Sequence, residues 1–211
     1  MMRVENGAVN QSVDQSVDQP SDQPSDQRAH LSLDDIESLL ESAAGRPVVV
    51  GEADDKMPFT QLDHALQTAA VLRQRRPGDP ELAVAGLVHD IGHLLPGVGD
   101  AEHARAGAAA VRAALGERVA GLVGLHVEAK RYLVARQSTY EGDLAADSVA
   151  SLVAQGGPMS SDEQAAYETL ALADDALELR RADESAKVEG LVVTGLGEWM
   201  HLVRGMRSST C

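Results

Sequence analysis

The sequence predicts an all-α bundle, and three observations carry that prediction. Apolar residues recur at three- and four-residue spacing through most of the chain, while strand-like alternation is scarce. Gly/Pro clusters at RPGDP, LPGVGD and QGGPM cut the periodic runs into helix-length pieces. Ser, Thr or Pro stands at the head of several runs, where a helix has N–H groups without partners.

Taken in order, Ser32 followed by Asp35 forms a capping-box variant opening a helix through Ile36, Leu39 and Leu40, which Gly45 and Pro47 end. After VVVGEADDKMP, Thr60 caps a helix from Gln61 to about Arg75. Pro80 suits the first turn of the next helix, which carries VHDIGH. Beyond LPGVGD a helix runs from Glu102 to Leu115, and ERVAGLVGLHVEAKRYLVA forms another. Past QGGPMSSDE, Ser160 or Ser161 caps a helix through Leu179 and Arg180, and LGEWMHLVRGM makes a short last helix. Residues 1–30 include NQSVDQSVDQPSDQPSDQ, which has almost nothing apolar to bury and reads as a disordered tail. Residues 31–205 are expected to form one domain and 206–211 a flexible end.

At 211 residues and 44% hydrophobic, the chain can bury one sizeable core. A net charge of -15 argues against nucleic acid or an anionic membrane as partner, since both need a basic footprint. A small anionic substrate is compatible, because a few local cations can reverse the field inside a pocket. The one cysteine is Cys211, so neither a disulfide nor a cysteine nucleophile is expected within the fold. With no apolar leader and no membrane-length run, a cytoplasmic protein is expected. Oligomeric state is left open.

The chemistry concentrates in AGLVHDIGHL, where His89, Asp90 and His93 interrupt an apolar run. Titratable groups there are costly unless a partner or a metal takes them. A single helical histidine on an apolar face is ordinarily a core or surface residue, and His30 and His201 are read that way. The adjacent His-Asp pair differs, because helix neighbours point about 100° apart and cannot share one packing niche. His64, His103, His126 and Asp183 stand at further helix positions, most with Ala, Leu, Val or Gly nearby. Imidazoles and carboxylates are the ligand set for iron, manganese or zinc, and bundle helices can converge them on a core site.

A histidine, an adjacent His-Asp and a distant aspartate, as in His64, His89-Asp90 and Asp183, resemble the signature of the HD-domain superfamily, most of whose members are phosphohydrolases. His103 and His126 go beyond that signature and suggest a second metal. The segments HVEAKRYLV, LAADSVASLVAQGGPM and LRRADESAK, together with Tyr140, are similar to the HD-domain mixed-valent diiron oxygenases that cleave phosphonates. This resemblance covers Gly51 to Lys187; myo-inositol oxygenase, with a lysine at the His93 position, resembles the chain more distantly.

The resemblance implies an HD-domain helical bundle holding two Fe ions as an Fe(II)/Fe(III) pair, with O2 as co-substrate. One ion would take His64, His89, Asp90 and Asp183, and the other Asp90, His103 and His126. It also implies oxidation at C1 of a small 1-hydroxyphosphonate, with release of phosphate and a carboxylic acid. His93, Lys130, Ser148, Ser151 and Gln155 would line the substrate's oxygens, with Arg180 nearby; Asp90, His93 and Lys130 are the expected catalytic residues. The spacing agrees: Lys130 follows His126 by four residues, Arg180 precedes Asp183 by three, and Ser148, Ser151 and Gln155 form one stripe. Arg131 and Arg181 are read as surface charges, and Gly156 and Gly157 as turn residues.

The chain departs from the family pattern ahead of His64. A tyrosine and a glutamate in a YxGE loop gate the family's site; here Glu52 is present, as a candidate substrate contact, but Val49 holds the tyrosine position. Two rival readings stand beside the oxygenase. One is an HD-type phosphohydrolase in which metal activates water, and the other a non-catalytic metal-binding or regulatory HD protein. The KRYLV and QGGPM segments weigh against the first, and the complete set of six ligand positions against the second.

Overall fold

The computed structural model describes residues 30–48, 59–137, 139–144 and 146–208. Most of the tail expectation, together with Val49 and Glu52, lies outside them. Helices α1 (Leu33–Ala43), α2 (Gln61–Arg75) and α3 (Pro80–Val88) are followed by a 3-10 turn, Ile91–Leu94. Then come α4 (His103–Leu115), α5 (Glu117–Arg136), the short α6 (Tyr140–Asp143), α7 (Ala146–Ala154), α8 (Ser161–Glu168), α9 (Ala173–Ser185) and α10 (Leu196–Ser208). Among the described residues the only β feature is a single bridge between Pro47 and Thr60.

The expected caps are made. Ser32 with Asp35, Thr60 with Asp63, and Ser160 with Glu163 each form a full capping box, so Ser160 rather than Ser161 starts α8. Asp79 accepts from Leu82 N–H, with Pro80 in the first turn of α3. Every residue of α3 from Leu82 to Val88 is buried, which suits a helix apolar all round. It lies among α2, α5 and α9 and forms the centre of the bundle. Gly86 permits the close approach to α2: a Cβ there would meet Leu72 Cδ1 at 2.5 Å.

Three expectations need correction. The run after Ser160 is two helices, not one, because the chain turns between Thr169 and Leu172. Packing imposes that turn: Leu172 Cδ1 presses against Gly121 of α5, where a Cβ would come within 2.7 Å, and Tyr167 Oη donates to Ala173 O at 3.0 Å. Nor does one helix carry all of VHDIGH, since α3 ends at its C-cap His89. Finally, Arg131 is not a surface charge. Its side chain is 11% exposed and ties α5 to Glu128, Glu163 and the Gly157 carbonyl. Gly156 and Gly157 do shape a turn, with φ of 98° and 71°.

Candidate metal centre and anion pocket

The end of α3 solves the orientation problem posed by adjacent His89 and Asp90. His89 stays αR as the C-cap, whereas Asp90 (φ -97°, ψ 8°) leaves the helix and begins the 3-10 turn. The two side chains therefore meet, His89 Nε2 lying 3.3 Å from Asp90 Oδ2, instead of diverging around a helix. Gly92 lets that turn sit directly on the start of α4: a Cβ there would lie 1.9 Å from His103 O. His64 comes from the first turn of α2, His126 from the middle of α5, and Asp183 from the last turn of α9.

All four histidines at the centre are anchored alike. Nδ1 of His64, His89, His103 and His126 meets the carbonyl oxygens of Ala186, Gly86, Asp100 and Val123 at 3.0, 2.8, 2.7 and 2.7 Å. A carbonyl can only accept, so each Nδ1 carries the proton and each Nε2 presents a lone pair. Those lone pairs face Asp90 from two sides. Oδ2 of Asp90 lies 3.9 and 3.3 Å from Nε2 of His64 and His89, while Oδ1 lies 3.6 and 3.5 Å from Nε2 of His103 and His126. Asp183 Oδ1 completes the first group, 3.1 Å from His64 Nε2 and 3.9 Å from His89 Nε2.

This donor set fits bound cations. His103 Nε2 and His126 Nε2 stand 3.0 Å apart with no proton available between them, a repulsive contact unless a cation joins them. Two nitrogens at about 2.0–2.1 Å from one ion take such a separation when roughly at right angles. Nε2 of the fully buried His89 makes no hydrogen bond. Among the described residues, two groups of ligand atoms are close enough to hold an ion, His64–His89–Asp90 and Asp90–His103–His126, and Asp90 is common to both.

The electrostatics agree. Burial, reinforced by His103, pushes His126 down to about 3, and burial also lowers His103, so both are neutral donors. Burial pushes His89 down as well, but Asp90 and Asp183 outweigh it and hold it at about 9, so without an ion Nε2 keeps a proton, and a bound cation would take that proton's place and free the lone pair. Burial raises Asp183, yet the Arg180 guanidinium and His64 keep its carboxyl well below the usual range.

Beside the centre lies a cavity of about 310 Å³, at the small end for a ligand site. His93, Lys130, Ser148, Ser151, Gln155 and Arg180 all line it. Lys130 Nζ donates to Ser151 Oγ at 2.8 Å and to Ser148 O at 3.4 Å. Arg180 pairs with Asp183 and Glu184, and donates to Tyr140 Oη at 3.1 Å and Ser148 Oγ at 3.2 Å. The His93 ring stacks on His103 with centroids 3.9 Å apart, and its Nδ1 is 3.6 Å from Asp100 Oδ1. Sequence reasoning missed Lys187 and Asp100, which also line the cavity, and gave Tyr140 no role. The four-residue step from Asp183 to Lys187 was the signal available for the first.

Residues 62–182 match the HD domain family and residues 2–111 match the myo-inositol oxygenase family. The chain is an HD-domain protein of the myo-inositol oxygenase family. The HD match spans the elements bearing every candidate ligand except Asp183, which follows its last residue. This HD-domain oxygenase is 36% identical to the hydroxymethylphosphonate dioxygenase of Gimesia maris, over 82% of its own length and 93% of the relative's. To the [1-hydroxy-2-(trimethylamino)ethyl]phosphonate dioxygenase (glycine-betaine-forming) of Leisingera caerulea it is 35% identical, over 62% and 70% of the two chains. A deoxyguanosinetriphosphate triphosphohydrolase-like protein of Corynebacterium efficiens matches at 45%, but over only 26% of this chain and 14% of that one. No described helix of the HD-domain oxygenase is long and apolar enough to cross a membrane.

Proposed function

We propose that this protein is an O2-dependent diiron oxygenase that oxidises C1 of a small 1-hydroxyphosphonate, cleaving the C–P bond to give phosphate and a carboxylic acid. The observation that carries this reading is the placement of Asp90, whose two oxygens face separate ligand groups beside a cation-lined pocket. His64, His89, Asp90 and Asp183 would hold one ion, and Asp90, His103 and His126 would hold the other. An iron pair supplies open coordination positions and the redox capacity to use O2.

The chain's own residues bind and orient. Lys130, Ser151 and Ser148 offer donors to a tetrahedral oxyanion, and Arg180 backs them from α9 by holding Ser148 Oγ. Arg180 also holds Asp183 ionised, and Tyr140 fixes the guanidinium from its other side. His93, stacked on His103, lines the cavity beside the second ligand group and is assigned to the substrate's oxygens there. Turnover of hydroxymethylphosphonate balances without an external reductant: the substrate and one O2 give formate and dihydrogen phosphate, with the substrate supplying all four electrons.

The test is to load the protein anaerobically with Fe(II), admit O2 briefly, and record EPR spectra with and without hydroxymethylphosphonate. A mixed-valent signal perturbed by the phosphonate, with one phosphate released per O2 consumed, is the expected result. Metal-dependent hydrolysis of phosphate esters without O2 uptake would overturn it in favour of a phosphohydrolase. Absence of both a redox-active pair and turnover would leave a binding protein.

A further inference from the structure

The pocket contains one more cation than the sequence reading assigned. Lys187 follows α9, and its side chain, 9% exposed, lines the same cavity as Lys130 and Arg180. Its Nζ donates to Ser148 Oγ at 3.1 Å, with Glu184 Oε2 3.9 Å away. Ser148 thus becomes a meeting point: Arg180 and Lys187 approach its hydroxyl, and Lys130 its carbonyl.

The position of Lys187 is built from both sides along the chain. The preceding carbonyl, Ala186 O, accepts from His64 Nδ1 at 3.0 Å. The following residue is held at two points by the Gln67 side chain: Val188 N–H donates to Gln67 Oε1 at 3.1 Å, and Gln67 Nε2 donates to Val188 O at 2.8 Å. Gln67 is 2% exposed, and a third bond runs from its Nε2 to Leu191 O at 3.3 Å. A lysine serving only solubility needs no such bracing.

We propose that Lys187 is a specificity-determining residue of the anion subsite, giving the pocket its preference for a doubly charged tetrahedral oxyanion over a singly charged one. The inference rests on the phosphonate reading above. Arg180 is already engaged by two carboxylates, Asp183 and Glu184, so little of its charge is left to answer a ligand. Lys130 answers one negative charge from the α5 side. The second needs an ammonium on the other side of Ser148, and Lys187 supplies it on a stem flexible enough to turn from the serine to the ligand.

The test uses anaerobic titration calorimetry on the iron-loaded protein, independent of turnover. The ligands are methylphosphonate, titrated near neutral pH with its affinity expressed per dianion present, and its monomethyl ester, which keeps the tetrahedral shape with one charge fewer. The wild type should favour the dianion by about tenfold or more. Lys187→Gln should weaken methylphosphonate about tenfold and the ester less than about threefold, whereas Lys187→Arg keeps most of the preference. Iron content and melting temperature should stay at wild-type values in both variants. Equal losses for both ligands, or no loss, would overturn the assignment while leaving the phosphonate reading intact. A wild-type protein that binds neither ligand would overturn both.

Discussion

Lys130 shows how burial turns a common side chain into a pH-dependent one. Burial and the like charge of Arg180 push its ammonium down to about 8, from an ordinary 10.5. Raising the pH from about 7 to 9 therefore removes the charge that the proposed function assigns to the phosphonate, and on that reading the apparent KM should rise several-fold over the interval. The sign for stability is opposite: the folded chain holds this proton less tightly than the unfolded chain, so its unfavourable contribution at neutral pH fades as pH rises. A pH profile of KM, alongside melting temperature, checks both. His103→Ala tests the two-ion reading at the same scale. Iron content should fall to about one per chain and phosphate release should cease, with the helical circular dichroism retained; full activity in that variant would sink a dinuclear site. The histidines and aspartates were legible in the sequence because such groups are costly in apolar helices. Lys187 was not, because in RRADESAK a charge is the default for a solvated face.

At the level of elements, the decisive contact joins the 3-10 turn to α4. Gly92 has no room for a methyl group, since the obstacle is the backbone of His103 rather than a side chain that could swing away. Gly92→Ala should shift α4 and with it the His103 and Asp100 pair, costing ~1–3 kcal/mol of stability. It should also weaken the second ion more than the first. Metal content and thermal melting measure the two effects separately, and an unchanged melting temperature would contradict the packing. Helix starts were legible, because capping boxes are local chemistry: Ser32, Thr60 and Ser160 each bond within three residues. The break between α8 and α9 was not. ETLALADD contains neither Gly nor Pro, and what turns the chain there is a distant partner, Gly121 of α5.

For the whole molecule, the candidate ligands tie α2, the end of α3, α4, α5 and α9 to one point. Ions held there bind the folded chain far better than the unfolded one and so stabilise it by linkage. At ion concentrations 100 to 1,000 times Kd this amounts to about 3–4 kcal/mol, a melting shift on the order of 10 °C for a domain of this size. Chelation followed by differential scanning calorimetry should show that drop, and re-addition of Fe(II) should restore it. No shift would mean that the convergence is not an ion site. The fold class was readable from periodicity, but which helix ends converge depends on long-range packing around α3, and spacing along the chain does not encode that directly.

The main-chain anchoring of the four histidines bears on how this protein can change over evolutionary time. Each imidazole is aimed by a backbone carbonyl, so replacing the side chain of the residue that supplies it leaves the acceptor in place. The candidate metal centre is thereby sheltered from drift around it. The pocket wall, held by side chains such as Ser148, Tyr140 and Gln67, has no such protection, and new substrates can be acquired there without rebuilding the centre.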